Sequence, residues 1–173
     1  GQLPTAGWQN LSPNGNAYYY NPNLYGVSFG NSTFVAVGDT GKIVRSTNNG
    51  ANWSHVTTGR LVDSGSHRVS LYGTNYLRGV TFGNNTFVAV GYTGKIIRST
   101  NEGSSWDNVT KVNNNNLYGV TFGNGTFVAV GQSGTIIKST NNGASWSSSS
   151  SGGNTLYGVT FGNNTFMAVG QSG

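Results

Sequence analysis

The chain has 173 residues, no cysteine, and a formal net charge of +5 from nine cations and four anions. Gly, Asn, Ser and Thr fill more than half of the positions and only 8% of residues are charged. This composition excludes a helical bundle and argues against charge-driven disorder. No apolar run approaches the roughly 18 residues of a membrane helix, so we expect no membrane span. The cations are scattered along the chain, so nucleic acid is not an expected partner.

Four copies of one repeat dominate the sequence and predict how the domain is organised. A short segment at 7–12 comes first and predicts a single strand. Each repeat then reads Leu-x-Gly-Val-x-Phe-Gly, a tight turn, and Phe-x-Ala-Val-Gly, and in the first three copies a further block ends at a tryptophan. These boundaries predict blades at 24–57, 77–111 and 117–150, and a half blade at 156–170.

Each complete repeat predicts four short antiparallel strands, A to D. β-Branched and aromatic residues fill the strands, whereas Gly and Asn fill the turns, and Asn124-Gly125 is a strong hairpin signal. A four-stranded unit that recurs about every 40 residues is typical of a β-propeller blade. We therefore expect an all-β propeller of about four blades with the terminal blade incomplete; a β-prism or a solenoid is the alternative.

The turn between strands C and D reads Ser-Thr-Asn-x-Gly-x-x-Trp in three copies. This pattern resembles the Asp-box, or BNR repeat, of sialidase-like propellers, with Asn in the position of the family's Asp. The whole blade also resembles bacterial surface-repeat propellers and photosystem II assembly-factor propellers. The resemblance implies a folding element away from the binding face. The matching residues are Ser46, Asn48, Gly50, Trp53, Ser99, Asn101, Gly103, Trp106, Ser139, Asn141, Gly143 and Trp146.

The last blade lacks a strand C when the 7–12 segment is counted as its strand D. Two interpretations remain open. The sequence is a fragment of a longer propeller, or a neighbouring subunit supplies the missing strand and the chains self-associate.

Sequence variation between the repeats predicts the binding face. The A–B and C–D turns barely differ between copies, whereas the B–C turns and the D–A connections differ most, and strand A has one arginine where the other copies have tyrosine. Variable loops on a rigid scaffold are typical of a binding surface, although loops also vary because nothing constrains them. The candidate ligand-binding residues are Asp39, Tyr92, Gln132, Gln171, Arg78, Arg60, Asp63, His67, Arg68, Tyr18, Tyr19 and Tyr20.

Catalytic chemistry is hard to assemble from this composition. Asp39 and Asp63 are the only carboxylate pair that a glycosidase could use, and two histidines are too few for a histidine metal site. We expect no catalytic residues, no metal and no cofactor. The leading hypothesis is a non-enzymatic protein, secreted or on the cell surface, that binds carbohydrate or protein. A self-assembling structural protein is the alternative, and a glycoside hydrolase is the least favoured hypothesis.

Overall fold

The computed structural model describes residues 23–56, 61–63, 68–70, 76–150 and 153–172, with the backbone alone at 61–63, 68–70 and 150. The predicted strand at 7–12 lies outside these residues. The strands are β1 (Leu24–Gly30), β2 (Thr33–Gly38), β3 (Ile43–Ser46), β4 (Ser54–His55), β5 (Leu61–Asp63), β6 (Arg68–Ser70), β7 (Leu77–Gly83), β8 (Thr86–Gly91), β9 (Ile96–Ser99), β10 (Asp107–Asn108), β11 (Leu117–Gly123), β12 (Thr126–Gly131), β13 (Ile136–Ser139), β14 (Ser147–Ser150), β15 (Leu156–Gly162) and β16 (Thr165–Gly170).

Apart from β5 and β6, the strands form three four-stranded antiparallel sheets and one two-stranded sheet, in the order of the sequence repeats. Sheet 1 contains β1 to β4, sheet 2 β7 to β10, sheet 3 β11 to β14, and sheet 4 β15 and β16. Each sheet is a simple meander because tight turns join consecutive strands. In sheet 2 the turn between the first two strands has positive φ at Asn84 and Asn85 (46° and 58°), as the right-handed twist of a hairpin requires.

Glycines on the first strand of each sheet allow the next sheet to approach closely. A β-carbon at Gly79 would lie 3.2 Å from the carbonyl oxygen of Tyr118 in sheet 3. Four residues further along the strand, a β-carbon at Gly83 would overlap the ring of Phe122. The same phenylalanine-on-glycine contact joins sheet 1 to sheet 2 and sheet 3 to sheet 4. The repeated glycines are therefore explained by sheet-to-sheet packing.

The core lies between successive sheets. Val35, Val37 and Ile43 of sheet 1 pack against Leu77 and Phe87 of sheet 2, and an equivalent cluster joins sheet 2 to sheet 3. Each interior sheet thus buries one face against the sheet before it and the other against the sheet after it.

The long connection between sheets 1 and 2 contains a small sheet that the sequence analysis did not predict. β5 pairs with β6 in antiparallel register, with Asp63 opposite Arg68. Each of these short strands has a valine at its centre, and the Ser- and Gly-containing segment between them favours such a hairpin. None of the described segments forms a helix with the length and apolarity that crossing a membrane requires.

Candidate functional site

The B–C turns lie directly against the connections that lead into each sheet. In sheet 2 the turn is a single 3-10 turn, Tyr92–Gly94, and the Tyr92 amide donates a hydrogen bond of 2.9 Å to the carbonyl of Tyr76. The equivalent bonds at the other three turns measure 2.8 to 2.9 Å. These two variable segments therefore share one edge of the molecule, opposite the A–B and C–D turns.

A β-bulge at this edge sets the direction of four equivalent side chains. In sheet 2 the strand pairing moves from Leu77 opposite Gly91 to Gly79 opposite Val90, which leaves Arg78 as the extra residue. The other sheets have the same register shift, and their extra residues are Tyr25, Tyr118 and Tyr157. A bulge turns a side chain away from the regular alternation of the strand, and here it does so at the same position in every sheet.

The bulged side chains and Tyr92 form a continuous row that we call the tyrosine–arginine ladder: Tyr25, Arg78, Tyr92, Tyr118 and Tyr157. The guanidinium carbon of Arg78 lies 4.3 Å from the ring centroid of Tyr25 and 5.8 Å from that of Tyr92. The Tyr92 and Tyr118 centroids are 6.1 Å apart with the rings edge to face, and those of Tyr118 and Tyr157 are 5.6 Å apart. These distances are within the range of attractive cation–π and aromatic contacts.

The five ladder residues line an open cleft of about 360 Å³. Neighbouring rings hold Arg78, which forms no ion pair with any residue that the structure describes in full. A guanidinium has five N–H donors in one plane, and its contacts with the ring faces leave that plane available for hydrogen bonding. The cleft thus offers aromatic surfaces and one cation.

Asp39 is one of the predicted ligand-binding residues, but its side chain is only 4% exposed. Its Oδ2 accepts hydrogen bonds from the backbone N–H and the side-chain amide of Asn23, at 3.0 and 3.2 Å, and so fixes the first B–C turn. Interaction with this carboxylate also raises the pKa of Tyr25 above its ordinary value of 10.0. Asp39 thus holds the first B–C turn and interacts with one residue of the ladder, Tyr25.

The other predicted candidates fall into three groups. Tyr92 and Arg78 belong to the ladder. Gln132 and Gln171 are exposed at the first positions of their B–C turns, and Gln132 Oε1 lies 3.4 Å from the backbone nitrogen of Asn116, which donates to it. The remaining candidates lie outside the described residues or on strands described only by their backbone: Arg60, Asp63, His67, Arg68, Tyr18, Tyr19 and Tyr20.

The sequence analysis noted the ladder tyrosines of strand A only as a background against which Arg78 stood out. Tyr25, Tyr118 and Tyr157 occupy the same strand-A position in three of the four copies, so they did not stand out as variable residues. The bulge decides their direction, and no residue pattern in the sequence predicts it. One sequence signal could have drawn attention to these tyrosines: each directly precedes the first glycine of its strand.

The three C–D turns form the same hydrogen-bond network at the opposite edge. In the second turn, Ser99 Oγ accepts a bond from the Gly103 amide at 2.9 Å and donates one to Asn101 Oδ1 at 2.9 Å. The Trp106 indole N–H donates to the Gly103 carbonyl at 3.1 Å. Arg45, in sheet 1, donates from Nη1 to Ser104 Oγ in this turn at 2.8 Å. These residues stabilise the turns and the contact between sheets.

Three solved propeller structures share this arrangement of sheets. The structure described as YCF48 bound to D1 peptide matches 73% of this chain and 40% of its own, at 19% identity and a TM-score of 0.57. YCF48 from Cyanidioschyzon merolae matches 86% of this chain and 50% of its own, at 16% identity and 0.62. The computationally designed Ika4 protein matches 91% of both chains, at 11% identity and 0.64. This chain has the β-propeller fold.

The predicted fold class is therefore confirmed, as is the resemblance to photosystem II assembly-factor propellers at the level of fold. No family model matches the sequence, and no curated protein is similar to it. The chain spans between two fifths and one half of the length of the YCF48 structures. Within the described ranges, no three His, Asp or Glu side chains come together in a way that could hold a metal ion.

Proposed function

We propose that this propeller is a non-enzymatic binding module that holds an extended segment of a partner protein in the cleft of the tyrosine–arginine ladder. The observation that carries the proposal is Arg78, a guanidinium stacked between Tyr25 and Tyr92 with no ion-pair partner among the fully described residues. Tyrosine and arginine are the side chains that most often dominate the energy of protein interfaces.

The chemistry of the cleft favours a peptide with a carboxylate. Stacking on two rings restricts the rotation of the Arg78 side chain, so less entropy is lost when it forms a bidentate bond to a carboxylate. Tyr118 and Tyr157 continue the row beyond Arg78 and offer flat surfaces to apolar side chains. A related fold, YCF48, has been solved with a D1 peptide bound, which supports a peptide as the kind of ligand.

The same reasoning favours the absence of catalysis. The residues that line the cleft include no carboxylate, whereas a glycosidase needs two. The low charge and the absence of cysteine lead us to propose an exported or cell-surface location. The hydrogen bonds of the C–D turns support assigning them as Asp-box turns in which asparagine replaces aspartate.

The proposal is tested by selecting binders from a displayed library of random peptides. Peptides enriched on the wild-type protein are synthesised, and their affinities are measured by fluorescence anisotropy for wild type and Arg78→Tyr. This variant installs the residue that the other three repeats carry at the same position, so the fold and the ring stacking are retained while the charge is lost. We expect acidic peptides to be enriched and to bind Arg78→Tyr about 10- to 100-fold more weakly, as the loss of one charge-assisted hydrogen bond predicts.

Carbohydrate is the second candidate ligand, because the faces of Tyr25 and Tyr157 are partly exposed and aromatic faces stack on sugar rings. A glycan array probed with both proteins separates the two functions. Glycan binding that survives Arg78→Tyr, with no peptide enriched, would contradict the peptide proposal and favour carbohydrate.

A further inference from the structure

The contact between successive sheets is built from one phenylalanine and one glycine. The Phe82 ring of sheet 2 covers Gly30 of sheet 1, and the same geometry recurs with Phe122 on Gly83 and with Phe161 on Gly123, so that a β-carbon on any of these glycines would overlap the ring. The described residues form three contacts of this kind, one between each pair of successive sheets.

At the two ends of the array, one phenylalanine covers no glycine and one glycine is covered by no ring among the described residues. Phe29 of sheet 1 is the equivalent of Phe82, yet its side chain is 52% exposed. At the other end, Gly162 of sheet 4 is the equivalent of Gly30, and no heavy atom lies within 4 Å of the position where its β-carbon would be. One end of the array thus presents an uncovered ring, and the other presents an uncovered glycine.

The apolar side chains around these two positions are uncovered as well. Val27, beside Phe29, is 63% exposed, whereas its equivalent Val80 is 8% exposed. On sheet 4, Met167 and Val169 are 61% and 64% exposed, although the equivalent valines of sheet 2 are completely buried. Exposed apolar patches of this kind mark interaction surfaces. The two end faces are complementary because each interior interface already joins the same two kinds of face.

We propose that a second copy of this chain covers these faces, with Phe29 of one copy packed over Gly162 of another in a head-to-tail contact. This contact repeats the interior interface between chains and is heterologous, since two different surfaces meet. A second copy fits this position because its sheet 1 presents Phe29 and Val27, the equivalents of Phe82 and Val80, which cover sheet 1 in the interior contact. The inference is independent of what binds the tyrosine–arginine ladder.

The test uses sedimentation velocity of the full chain over a wide concentration range, with two variants that each block one face. Phe29→Ala removes the ring, and Gly162→Leu fills the open position, where a β-carbon has no heavy atom within 4 Å. Val27→Glu is a second variant of the first face, at a side chain that contributes little to the fold. Asp107→Leu, on the exposed outer strand of sheet 2, is the control for adding an apolar side chain elsewhere.

We expect wild type and Asp107→Leu to associate above 18.1 kDa, and each blocked variant to remain a monomer that keeps the β-sheet circular dichroism spectrum of wild type. An equimolar mixture of Phe29→Ala and Gly162→Leu retains one intact pair of faces, so it should form a two-chain species and nothing larger. A wild-type monomer at every concentration would overturn the proposal, whether residues 1–22 or solvent cover the faces. Association that survives Gly162→Leu but not Phe29→Ala would also overturn it, because two like faces would then be in contact.

Discussion

Gly83→Ala and Gly162→Ala form a matched pair that tests the packing between sheets. Both glycines occupy the fifth position of an identical segment, Gly-Val-Thr-Phe-Gly-Asn-Asn-Thr-Phe, at 79–87 and 158–166. The added methyl group therefore has the same local effect on the unfolded chain and on strand propensity in both variants. The variants differ in what lies above the glycine: the Phe122 ring at Gly83, and no heavy atom within 4 Å at Gly162.

The expected difference follows from that contrast. Overpacking a tightly packed core site costs about 1–3 kcal/mol, and this cost applies to Gly83→Ala alone. For a chain of this size each kcal/mol lowers the melting temperature by about 2–4 °C. Gly83→Ala should thus melt about 2–12 °C below Gly162→Ala. Differential scanning calorimetry at low protein concentration gives the comparison without interference from association.

A double variant provides the control. Phe122→Ala is destabilising by itself, but adding Gly83→Ala to it should cost much less than adding it to wild type, because the ring that the methyl group meets is gone. Equal melting temperatures for Gly83→Ala and Gly162→Ala would refute the phenylalanine-on-glycine contact as the basis of sheet packing.

The remaining predictions concern the C–D turn and the ladder. Ser99→Ala should lower the free energy of unfolding by about 1–3 kcal/mol in urea denaturation, because it leaves a buried amide without an acceptor, whereas exposed Ser105→Ala should change it by less than about 0.5 kcal/mol. Trp106→Ala should cost about 3 kcal/mol, the lower end for a large aromatic, since the indole is half-buried; unchanged thermal stability would contradict its packing role. Asp39→Asn should lower the pKa of Tyr25 toward 10.0, measured by tyrosinate absorbance with Tyr25→Phe as the reference. The raised pKa means that this interaction stabilises the folded state below pH 10 and is lost as the pH rises through the titration of Tyr25; an unshifted titration in Asp39→Asn would argue against it.

The repeat made most of the strand pattern predictable, because local signals and the global fold agree in each copy. Asn84 and Asn85 adopt the positive φ angles that a tight hairpin needs, and the continuous apolar run Phe87-Val-Ala-Val matches a strand buried on both faces. The reason for the glycine at the end of strand A was not visible in the sequence, since it depends on a ring from the next sheet.

The candidate site was less predictable, for two physical reasons. The bulge at Arg78 depends on how two strands pair, which side-chain periodicity does not reveal. Asp39 is at a variable position and was expected to bind ligand, yet its carboxylate holds Asn23. Variation among repeats predicted that the B–C turns and the connections lie at one edge of the molecule, which the hydrogen bonds between them confirm. It did not show which side chains there are held in the turns, as Asp39 is.

The most direct test of the central claim is a map of where a bound peptide contacts the protein. An acidic peptide enriched on the wild-type chain is titrated into isotope-labelled protein, and the NMR signals of the Arg78 side chain and the tyrosine rings are followed. The account predicts the largest shifts at Arg78, Tyr92 and Tyr118, with little change at the C–D turns. Shifts confined to the C–D turns, with the ladder unchanged, would contradict it.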